Sequence, residues 1–121
     1  MSVSTARFDP SSWVKDDVTA HQWERGRFGF SKYDWFNFNE YLTWVIIGGL
    51  NRFKTGSGHP VNDECQNMED WCRLLDEMID GFEARHKLDS YCLNDEDQAE
   101  MKAKWDRGSA LFIRYYGNLW D

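Results

Sequence analysis

The chain has 121 residues, 41% of them apolar, which suffices for one core and falls short of two ordinary domains. Eight Phe, seven Trp and five Tyr beside only two Pro exclude a disordered or low-complexity chain. Fourteen basic against 21 acidic residues give a formal charge of −7, which excludes duplex-groove binding and a polybasic membrane anchor as whole-protein strategies.

The opening segment, MSVSTARFDP, lacks the apolar stretch of a signal peptide. Residues 1–31 read as an irregular N-terminal arm, with Arg27 to Phe30 as a short extended piece and Trp13 and Trp23 as lids. Residues 32–121 read as the helical domain. Its first helix is expected from Asn37 or Asn39 to Lys54, because Phe38, Tyr41, Leu42, Val45, Ile46, Gly49, Leu50 and Phe53 form one stripe. Gly56 and Gly58 supply its stop, and Gly48-Gly49 inside it suggests close approach by another helix. The longest near-apolar run, Trp44 to Leu50, is far shorter than the roughly 20 residues that span a bilayer.

The second helix starts at Asn67, with Asp70 three residues on as a weak capping box. Trp71, Leu74, Leu75, Met78, Ile79 and Phe82 form its stripe, through about Lys87. Glu69–Arg73 and Glu83–Lys87 are acid-first pairs on its outer face. The third helix starts near Asn94 with Asp95, Glu96 and Asp97 in its first turn. Met101, Trp105, Gly108, Phe112, Tyr115 and Leu119 share one face. Ile113, Tyr116 and Trp120 fall beside it, so this helix is expected to bury more than one side. The fold class expected is all-α: a compact aromatic-rich three-helix bundle with an irregular N-terminal arm.

Charge is uneven along the chain. Residues 1–60 carry seven basic and six acidic side chains, whereas 61–100 carry three basic and thirteen acidic. One reading is a solvated helix face; the other is a docking surface for a basic partner built on Glu69, Asp70, Asp76, Asp80 and Glu83.

Catalytic and metal templates fit poorly. Ser57 in Gly56-Ser57-Gly58-His59-Pro60 lacks both the nucleophile-elbow spacing and the lysine of a phosphate loop. Glu83 and His86 have the i, i+3 spacing of di-iron bundles, but no second copy exists. Cys65, Cys72 and Cys92 show no C-x-x-C spacing; an odd count fits a reducing compartment. Asp76 and Asp80 lie one turn apart with nothing converging on them in sequence. No catalytic residue, metal or cofactor is assigned. Rings beside cations offer a different use: Arg27, Trp35, Trp44, Arg52, His59 and Arg114 are the candidates for holding a nucleotide-like ligand. A dimer or higher-oligomer interface is a further use for surplus rings.

Asp34-Trp35 with Tyr41-Leu42, then Leu50 and Phe53-Lys54, then Gly58-His59-Pro60, resembles a family of small tailed-bacteriophage proteins of uncharacterised function. The likeness continues through Met68-Glu69-Asp70-Trp71 and Gly108, Leu111-Phe112, Tyr115-Tyr116 and Leu119-Trp120-Asp121, covering 32–121. His59 departs from it, since that loop commonly reads Gly-Tyr-Pro. The resemblance implies a phage origin and the host cytoplasm, and carries no reaction with it. The expectation is a non-enzymatic binding protein acting on a host or phage protein partner, inhibition of a host defence activity being one such role. Sequestration of a nucleotide-like small molecule and a minor virion role are the alternatives, with no membrane and no direct duplex contact.

Overall fold

The computed structural model describes residues 15–120, with side chains from Ala20 onward. It is all-helical, with no strand among the described residues. Five α-helices follow in order among those residues: α1 (Lys15–Phe28), α2 (Lys32–Phe36), α3 (Phe38–Phe53), α4 (Met68–Ser90) and α5 (Asp95–Arg114), then a 3₁₀ turn at Tyr116–Asn118. None is long and apolar enough to cross a membrane. The chain divides into two compact units, one ending at Val45 and the other beginning at Ile46, so the division falls within α3.

The arm expected to be irregular is helical over Lys15–Phe28. Its apolar residues scatter around the helix, and Gly26 interrupts it, so no stripe marks it in sequence. Arg25 and Arg27 in the last turn complement the helix dipole. Arg27 and Phe28 are therefore helical, not extended. The helix stops at Gly29, whose φ of 84° lies in the left-handed region that favours glycine, and whose N–H still bonds the Arg25 carbonyl at 2.9 Å. Trp23 is 61% exposed. Trp13 lies outside the described residues.

The second unit is organised around α4. Asn67 caps it by accepting the Asp70 N–H at 2.8 Å, while the Asp70 carboxylate reaches back to the Gln66 N–H at 3.0 Å. All six residues of its predicted stripe are buried. Each such side chain contributes about 1.5–3 kcal/mol by leaving water. The helix runs three residues beyond Lys87, to Ser90. On its outer face Arg73 pairs with Asp70, not Glu69, and Arg85 with Asp89.

Asn94 caps α5 through the Asp97 N–H at 2.7 Å. The helix packs along α4, with Trp105 and Phe112 edge-on to Phe82 at 5.2 and 5.1 Å between centroids. At the crossing the two backbones touch. A Cβ built on Gly81 would lie 2.7 Å from Gly108 Cα, and one on Gly108 2.6 Å from Gly81 Cα. Of the pair expected to mark a close approach, Gly49 faces open space. Ile113, Tyr116 and Trp120 are 72, 67 and 75% exposed, so α5 buries one side only, and Leu111 and Tyr115 belong to the buried face.

The connection between α3 and α4 is tied to the end of α5. The Asn62 side chain accepts the Glu64 and Cys65 N–H groups at 2.8 Å, turning the chain. Tyr115 then donates its hydroxyl to Glu64 at 2.7 Å, and Arg114 pairs with the same carboxylate at 2.8 Å.

Candidate functional site

A buried polar cluster holds α1, α2 and the start of α3 in one arrangement. Ser31 and Asp34 form a capping box on α2: the Ser31 hydroxyl accepts the Asp34 N–H at 3.2 Å, and Asp34 accepts the Ser31 N–H at 2.9 Å. Arg25 closes a bidentate pair on the same carboxylate, with Nε and Nη2 at 2.7 and 2.6 Å. His21 Nδ1 bonds the Ser31 hydroxyl, and its Nε2 lies 3.8 Å from Asp34 Oδ1. The Ser31 hydroxyl also lies 3.1 Å from Asp34 Oδ2. Tyr41 adds α3, donating to the Gly29 carbonyl at 2.5 Å beneath the Arg25 guanidinium, 5.2 Å from its ring.

Serine, histidine and aspartate sit together here, yet Ser31 is 1% exposed and serves as a helix cap. Both oxygens of Asp34 are engaged by Arg25. The cluster is a structural lock. Burial raises the Asp34 carboxyl, but the Arg25 and Ser31 hydrogen bonds outweigh it and hold the group below its ordinary range. Burial, then the Arg25 charge, lowers the His21 imidazole against the opposing pull of Asp34 and Glu24. The unfolded chain therefore binds a proton at His21 more readily than the native one. This stability is complete above the ordinary value of 6.5 and is lost as pH falls through it toward the lower native value. Melts between pH 7.5 and 5 are expected to show a falling midpoint, with a reduced slope in His21→Gln. An unchanged slope would remove His21 as its cause.

Around this lock lie large exposed side chains. Trp23, Phe28, Tyr33, Trp35 and Phe36 are each more than half exposed. Trp23 meets Phe28 edge-on at 6.0 Å with Arg27 over both rings, and Trp35 meets Phe36 at 5.7 Å. Residues 20–45 carry three basic and three acidic side chains, so this ring-rich surface is electrically neutral overall.

The nucleotide-site candidates divide between the two units, each with local neighbours. Arg27 covers Trp23 and Phe28, Trp35 meets Phe36, and the Trp44 indole donates to Glu40 at 2.9 Å. Arg114 pairs with Glu64, while Arg52 is exposed and its carbonyl accepts the Thr55 hydroxyl. His59 lines a cavity of about 170 Å³ with Gly58, Pro60, Asn118 and Trp120, and neither Arg52 nor Arg114 contributes to that lining.

The acidic candidates are engaged unevenly. Asp70 is spent on Gln66 and Arg73, which hold its carboxyl below the usual range, and Asp76 pairs with Lys54 at 2.5 Å. Glu69, Asp80 and Glu83 have no ion-pair partner among the described residues. By helical spacing they share the outer stripe of α4 with Asp76, Arg73 and Lys87, which dilutes its charge. No group of three metal-ligating side chains gathers among the described residues.

Ser31-x-x-Asp34 is a capping signature that sequence could have flagged; Arg25 was out of its reach, because its partner lies nine residues away across a turn. No protein-family model, curated protein or solved structure matches the chain.

Proposed function

We propose that the chain is a non-enzymatic binding protein that engages a protein partner through the exposed rings of α1 and α2. The observation that carries this reading is Trp23, Phe28, Tyr33, Trp35 and Phe36, all in solvent around a buried ion-pair lock. Exposed apolar patches of this kind mark interaction sites, and Trp and Tyr supply large contact area at small entropy cost. With the surface neutral overall, the partner it suits is a protein face with an apolar centre. The sequence resemblance supports a phage origin, a host-cytoplasmic setting and a host or phage protein as partner, inhibition of a defence activity being one outcome. The same reading takes α3, α4 and α5 as the three helices of one bundle. The acidic stripe of α4 has a lesser part in it, since Lys54, Arg73 and Lys87 moderate its charge.

The test is native mass spectrometry of the purified protein with the host polypeptide that copurifies with it. Trp35→Ser with Phe36→Ser is expected to weaken that complex at least about tenfold, while the melting temperature holds, because exposed positions have small effects on stability. Asp80→Lys with Glu83→Lys is expected to leave it intact. Loss on charge reversal alone would transfer the site to α4. A concentration-dependent homodimer that the ring substitutions dissolve would replace the partner with a second copy.

A further inference from the structure

The cavity beside Trp120 has a chemistry distinct from the ring surface of α1 and α2. Gly58, His59 and Pro60 form one wall, and Asn118 and Trp120, from the segment after α5, form the other. At about 170 Å³ it is smaller than the 300–1,000 Å³ usual for drug-sized ligands, so it admits one side-chain head and not a nucleotide. Among the described residues no lysine or arginine lines it, and the unit beginning at Ile46 carries nine basic against fifteen acidic residues, which disfavours an anion. His59 Nδ1 bonds the Pro60 carbonyl at 2.8 Å. A carbonyl only accepts, so Nδ1 carries a proton there. Asn118 adds a side-chain amide, and Trp120 an indole residue that is 75% exposed.

Two other groups of rings in the chain carry an arginine. Arg27 lies over Trp23 and Phe28, and Arg85 over Trp105, all at 5.6 Å. Among the described residues no cation lies over Trp120 or Tyr116. An exposed indole, a side-chain amide beside it and a negative surrounding unit are elements that hold a guanidinium. We infer that this cavity receives an arginine side chain from a basic segment of a protein partner. The surface is additional to the ring patch of α1 and α2, so either can fail alone.

The probe is an acetyl-Gly-Arg-Gly-amide peptide, followed by amide chemical shifts of the full chain, with the citrulline peptide as neutral isostere. Saturable shifts confined to residues 58–59 and 116–120 are expected, with the citrulline peptide about tenfold weaker. Trp120→Leu is expected to weaken the arginine peptide at least about fivefold without moving the melting temperature. Asn118→Leu gives a second reading should that variant unfold. Equal binding of the citrulline peptide would overturn the inference. So would shifts spread along α4 that vanish in salt, binding that survives both substitutions, or the absence of saturation.

Discussion

Gly108→Ala is expected to cost about 3 kcal/mol of stability, although alanine is the better helix former. At an open helical site the same change gains about 1 kcal/mol. Here the added Cβ would meet Gly81 Cα at 2.6 Å, Glu77 O at 2.8 Å and Gly81 N at 3.1 Å. All three are backbone atoms and none can rotate away. Relief requires α4 and α5 to separate, which loosens the contacts of Phe82 with Trp105 and Phe112 and stretches the Arg107–Glu77 pair, 3.0 Å in the native structure. Gly81→Ala is expected to behave alike, since its Cβ meets Gly108 Cα and the Lys104 carbonyl at 2.7 and 2.9 Å. The double variant should cost less than the sum of the two, because one separation relieves both clashes. Gly49→Ala is the control: nothing lies within 4 Å, and a gain of about 0.5–1 kcal/mol is expected. Urea melts of the four proteins check the set. A neutral Gly108→Ala would mean that the helices do not touch there.

Asp34→Ala is expected to release α1 from α2 at a cost of about 3 kcal/mol, the lower end for breaking a buried pair. The carboxylate side chain is 5% exposed and the Arg25 side chain 22%, so solvent relieves part of the stranded guanidinium. The loss is larger than a surface ion pair would give, because Ser31 loses its reciprocal cap and its hydroxyl an acceptor. Amide exchange should accelerate through residues 21–36 and little in α4. Arg25→Met with Asp34→Leu should recover much of the loss, since an apolar pair strands no charge. Recovery with Arg25→Met alone would contradict the geometry. Asp34 also adds an acid limb to the pH profile. Its native carboxyl titrates below the ordinary 3.8, so its stabilisation is present above that value and is lost as pH falls below it.

Sequence served best where one stripe dominates. Trp71 to Phe82 recur at helical spacing, and the capping asparagines Asn67 and Asn94 bound their helices as expected. It failed on α1, whose apolar residues share no face. The Arg25–Asp34 pair ties that helix to α2, and periodicity does not register such a pair. It misjudged Ile113, Tyr116 and Trp120 for a related reason. Spacing shows that they share a face, but whether a neighbour covers that face depends on where the chain returns. Glycine was ambiguous in the same way: spacing does not tell Gly49, which faces open space, from Gly81 and Gly108, 27 positions apart, whose backbones touch. Of the ligand candidates, His59 lines the cavity described above, and its companions Asn118 and Trp120 come from the other end of the unit.

The crossing of α4 and α5 also constrains how this gene can drift. Any coding change in the first or second base of a glycine codon introduces a residue with a Cβ, and at Gly81 or Gly108 that atom has nowhere to go. Those two codons can vary silently only at their third base. The Gly49 codon, one base from alanine, is free to move. Diverged copies of the gene should therefore keep glycine at 81 and 108 after the exposed rings of α1 and α2 have been exchanged to suit another partner.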